Sequence, residues 1–83
     1  MRDRIITVVT CWSAGCEKYE EYFVGVHDTF DSACKFVNDC INESGERPDF
    51  SDVNVEHGLK STQIYSGPIK DDTTVYYIRE QYL

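Results

Sequence analysis

The chain has 83 residues, with fifteen acidic against eight basic side chains and a formal net charge of −7 at pH 7. A chain this short builds one domain, 1–83, and hides only roughly 60–65% of the surface its unfolded form exposes, so a deep substrate cavity has little room. The acidic excess argues against direct nucleic-acid binding, which rests on Lys and Arg neutralising phosphates. A content of 41% hydrophobic and 13% aromatic residues excludes a disordered chain.

Residues 4–12 (RIITVVTCW) are rich in β-branched side chains and contain neither Gly nor Pro, which predicts a strand. Ile6, Val8, Thr10 and Trp12 would share one face, and Ile5, Thr7, Val9 and Cys11 the other. Both faces are apolar enough for a strand inside the sheet. Residues 13–18 (SAGCEK) read as a loop and 19–26 (YEEYFVGV) as a second strand, paired with the first as an antiparallel hairpin. Tyr22, Val24 and Val26 are the expected core face of that strand.

A helix over 29–44 follows. Asp28 is placed to cap it, with Asp31 three residues on as the acidic half of a capping-box-like pair. Phe30, Ala33, Cys34, Val37 and Ile41 recur at helical spacing and form one apolar stripe. Gly45 is the natural stop. Residues 46–52 read as turn and loop, and 52–59 as a helical turn or an irregular excursion. A second hairpin ends the chain, with strands at 61–66 and 73–80 and a turn over 67–72 (GPIKDD). The expected fold is α+β, ordered ββαββ: an antiparallel sheet of about four strands with one amphipathic helix on one face.

The chemistry-bearing residues do not assemble into a reactive motif. Cys11, Cys16, Cys34 and Cys40 have C-x4-C and C-x5-C spacings rather than the close pairs of zinc sites. In a reducing compartment they are thiols. Cys16 would need a base to act as a nucleophile, only His27 and His57 are on offer, and no family signature surrounds it. Neighbouring acids such as Glu20-Glu21 point to opposite sides of a strand and cannot share a proton. No phosphate-binding glycine run is present. The expectation is a non-enzyme without metal or cofactor.

The Val24-Gly25-Val26, Asp28-Thr29, Ala33 and Phe36-Val37 series resembles a group of small bacterial and phage proteins. In these a hairpin feeds a helix through a Val-x-Ser/Asp-Thr-x-x-x-Ala-x-x-Phe-Val run. The likeness covers residues 19–41 and departs from the pattern at Phe30, where a charged residue is more usual. It transfers no catalytic residue and implies an accessory or phage-encoded protein.

The leading expectation is a small acidic protein-binding module that modulates or inhibits a host macromolecule by occupying a basic surface. Trp12, Glu17, Glu20 and Glu21 are the expected contacts, the aromatic ring as anchor and the acids for steering. Tyr76 and Tyr77 must face opposite sides of the sheet, which leaves at least one accessible. Neither a signal segment nor a membrane-spanning stretch is evident, so a cytoplasmic location is expected. Two alternatives accompany this reading: a domain that self-associates, as in a homodimer, through exposed strand edges, and a small-molecule binder at a dimer interface.

Overall fold

In a computed structural model, residues 4–14, 21–67 and 73–82 are described. The elements follow as β1 (Ile5–Ser13), β2 (Tyr22–His27), α1 (Phe30–Glu43), β3 (Pro48–Phe50), β4 (Asn54–Glu56), β5 (Leu59–Ser66) and β6 (Thr74–Tyr82). All strand pairings are antiparallel and the sheet order is β2-β1-β6-β5-β3, with β4 also held on β5. The architecture is α+β, with one helix on an antiparallel sheet of six strands. The ββαββ expectation of about four strands is corrected by the 46–60 segment, which supplies β3 and β4. β4 turns into β5 through His57 and Gly58, whose φ values of 55° and 78° are the positive pair that a tight two-residue hairpin requires.

β1 lies between β2 and β6, as its two apolar faces predict. Its odd-numbered residues meet the helix. Val9 lies opposite Ile78 of β6, and Ile64 of β5 lies opposite Tyr76. Over these side chains α1 lays Phe30, Ala33, Val37 and Ile41, all buried, with Val24, Cys34 and Tyr76 packed around them. Four of the five residues of the stripe read from the sequence are buried, and the fifth, Cys34, is half-buried beside them. Each fully buried Ile, Val or Phe contributes about 1.5–3 kcal/mol through removal of apolar surface from water.

The helix ends are set by local chemistry. The N-cap is Thr29 rather than Asp28: Thr29 is extended (φ −130°, ψ 154°), and its Oγ1 accepts from the Ser32 backbone N–H at 3.1 Å. Asp28 instead lies 3.8 Å from Arg4 in an exposed ion pair, and Asp31 sits in the first turn. At the other end the Gly45 N–H donates to the Asn42 carbonyl and the Glu46 N–H to the Ile41 carbonyl. With Gly45 at φ 87°, this is the paired closure of a Schellman motif.

Of the strand predicted over 19–26, residues 19–20 lie outside the described residues; the described strand runs Tyr22–His27 and carries a bulge. Val9 pairs with Gly25 but Thr10 pairs with Phe23, so Val24 is an extra residue that resets the alternation. The expected Tyr22, Val24 and Val26 core face is therefore split. Val24 packs on the core, while Val26 and Phe23 both point away from the helix and stand 51% and 68% exposed. The molecule measures 44 × 27 × 21 Å. The described elements form one helix layer on one sheet layer. Among the described residues no helix is long and apolar enough to cross a membrane.

Candidate functional site

A sheet covered on one side must present its other side to the surroundings. No described element lies over the face opposite α1. By strand alternation this face is built from Ile6, Val8, Thr10 and Trp12 of β1 and from Val75, Tyr77, Arg79 and Gln81 of β6. Ser61, Gln63 and Tyr65 of β5 continue it, and the bulge adds Phe23 and Val26 of β2.

The register arranges these side chains in rows across the strands. One row runs Phe23, Thr10, Tyr77, Gln63, the next Val26, Val8, Arg79, Ser61, and a third Trp12, Val75, Tyr65, Asp49. Trp12 and Tyr77 meet edge to face, with ring centroids 6.2 Å apart and planes at 60°. The Arg79 guanidinium carbon stands 5.8 Å from the Tyr77 ring centroid, a cation–π contact. Tyr65 donates its hydroxyl to Gln63 Oε1 at 2.8 Å. Val8, Thr10 and Val75 are buried on this face. The outcome is a braced aromatic and apolar surface, with rings already fixed by one another.

Two of the four residues expected to contact a partner come together here. Trp12 is on the face, and Glu21 is tied to it because its Oε2 accepts from Thr10 Oγ1 at 3.0 Å. Glu17 and Glu20 lie outside the described residues. The sequence reading missed Phe23 and Arg79 as members of the same surface. The one signal for them was the alternation that separates Tyr76 from Tyr77. Tyr76 packs on the core under the helix, and Tyr77 is on the free face.

The remaining reactive groups are dispersed. Cys11, Cys34 and Cys40 are free thiols, all partly buried; Cys16 lies outside the described residues. Burial pushes each of the three up from the ordinary thiol value, aided at Cys34 by the charge of Asp31 and at Cys40 by those of Glu43 and Asp39. A raised thiol is a poor nucleophile at neutral pH. His57 is exposed beside Glu56, at 3.8 Å. His27 is set against the Phe36 ring at 5.1 Å and lies 3.4 Å from the Ser32 hydroxyl. Among the described residues no three His, Cys, Asp or Glu side chains gather in a metal-binding group. A polar, open hollow of about 410 Å3 lies between the 51–54 segment and Tyr77, at the margin of the same face.

Compared with known proteins, the chain matches no family model, no curated protein and no solved structure.

Proposed function

We propose that this chain is a small acidic protein-binding module that engages a partner through the helix-free face of its sheet. The observation that carries the reading is the face opposite the helix, over which no described element lies and on which Phe23 and Val26 are exposed and Trp12, Tyr65 and Tyr77 half-buried. Tyr and Trp are the residues that most often dominate binding energy, because they bring large contact area at small cost in side-chain entropy. Trp12 and Tyr77 brace one another before any partner arrives, which lowers the ordering cost of association. Glu21 and Asp49 flank the aromatic rows, and the chain as a whole carries −7. That charge favours a partner with a basic surface and would speed encounter with it. The acidity disfavours nucleic acid as the direct ligand, although aromatic sheet faces also stack bases. The resemblance of residues 19–41 to small bacterial and phage proteins supports a cytoplasmic modulator or inhibitor of a host macromolecule.

The experiment is capture from the native host's lysate, followed by affinity measurement with the purified partner. Trp12→Ala and Tyr77→Ala should each weaken binding by about 30-fold, the effect of losing a hot-spot ring. Raising salt from about 0.1 to about 0.5 M should weaken it further. A complex indifferent to both aromatic substitutions, or equally tight at high salt, would overturn the proposal.

A further inference from the structure

The two edges of the sheet are built differently. On one edge β3 and β4 are three residues each, and the 51–53 segment interrupts them. That edge also carries Pro48, Asp49 and Glu56, all features that prevent a further strand from joining. The other edge is β2, Tyr-Phe-Val-Gly-Val-His, six residues with no Pro and no Asp, Glu, Lys or Arg. Tyr22, Phe23 and Val26 are 59%, 68% and 51% exposed along it. This is an uncharged strand that, among the described elements, pairs with β1 alone, on a chain of net charge −7.

The bulge makes this edge complementary to itself. Two antiparallel strands related by a two-fold axis match only if residues placed opposite each other point to the same face. In a regular strand, residues 23 and 26 would point to opposite faces. The extra residue at Val24 puts Phe23 and Val26 together on the helix-free face, while Tyr22 and His27 pair with Cys11 and Thr7 and so share the helix side. A single register therefore satisfies every pair. Phe23 meets the partner's Val26, and Tyr22 meets the partner's His27.

We infer that β2 pairs with β2 of a second copy of this chain, joining two sheets into one across a two-fold axis perpendicular to them. That axis leaves both helices on one side and both aromatic faces on the other, so the dimer would display the proposed binding face twice on a continuous surface. The three exposed side chains hold roughly 350 Å2 per copy, an aromatic ring carrying about 150–250 Å2. Two copies thus fall short of the roughly 1,200–2,000 Å2 of a standard interface, which sets the association as weak and reversible. The same register places Glu21 opposite the partner's Asp28, although Arg4 lies 3.8 Å from Asp28. These like charges, and the net charge of each copy, oppose pairing at low salt.

Sedimentation equilibrium of the pure protein tests this. The expected result is a weak, reversible monomer–dimer equilibrium, as befits so small an interface. It should tighten by about threefold or more between about 0.05 and about 0.5 M salt, as repulsion is screened. Tyr22→Lys should weaken pairing by about tenfold, because an edge lysine is a natural block to strand addition. Hydrogen exchange of the parent protein should slow at residues 22–27 on going from dilute to concentrated samples. A strict monomer at both salts, an undiminished Tyr22→Lys dimer, or protection confined to other segments would overturn the inference. Those results would leave binding through Trp12 and Tyr77 untouched, since that is read with a foreign partner and weakens with salt instead of strengthening.

Discussion

Replacing Thr29 by Ala removes the side-chain oxygen that accepts from the Ser32 N–H at 3.1 Å, one of the otherwise unpaired donors of the first helical turn. Loss of such a cap costs about 1 kcal/mol, within a range of about 0.5–2. A chain of 83 residues has an unfolding entropy of about 0.17 kcal/mol/K, so that loss lowers the thermal midpoint by about 6 °C. Asp28→Ala is the control. It removes a 3.8 Å ion pair to Arg4 whose side chains are 70% and 90% exposed, an interaction of the kind worth at most a few tenths of a kcal/mol. Thermal unfolding followed by circular dichroism should therefore rank Thr29→Ala well below Asp28→Ala, with Thr29→Asn close to the parent. If Asp28→Ala proved the more damaging of the two, the cap would belong to Asp28 and the assignment of Thr29 would fall.

Two further outcomes follow from buried polar groups. Thr7 is fully buried and its hydroxyl has no partner among the described residues. Thr7→Val keeps the shape, removes an unsatisfied group and should raise stability by about 1 kcal/mol, read as an upward shift of the urea midpoint; a loss of stability would mean that the hydroxyl is satisfied. Cys11, Cys34 and Cys40 are raised above 9.0 and Tyr76 above 10.0, burial being the first cause in each. The folded chain then holds these protons to higher pH than the unfolded chain does. The stability they contribute is complete below pH 9.0 and is lost as pH climbs through the raised values, so urea unfolding should show a weaker fold at about pH 10 than at about pH 8. An unchanged midpoint across that interval would contradict the burial of these groups.

The sequence showed the helix and the central strand because their patterns are strong and local. The Phe30-to-Ile41 stripe repeats at the helical period, and β1 is a run of β-branched residues. It was ambiguous where a single residue decides the geometry. Asp28 and Thr29 are both good caps, and only the backbone says which is extended at the helix entry. Val24 is an ordinary strand residue, and a bulge leaves no mark in composition, yet it moves Val26 from the core side to the open side. The turn at His57-Gly58 lacks the Asn-Gly or Asp-Gly pair that announces a tight hairpin, so β4 was hidden in a segment read as irregular. The candidate site was partly visible for the same reasons. Trp12 and Tyr77 follow from simple alternation, but their union with Phe23, Tyr65 and Arg79 depends on strand order. That order places β6, the last strand, beside β1, the first. Local sequence does not encode such a pairing.

Setting the last strand in the middle has a temporal consequence. Ile5 lies opposite Tyr82, so the central seam of the sheet closes the largest loop in the described chain. During synthesis the first hairpin and the helix must wait, half-assembled, until residues 74–82 emerge and slot between them and β5. Such a chain gains little from folding piecemeal. It should cross from open to native in one late, slow step, as proteins dominated by distant contacts do.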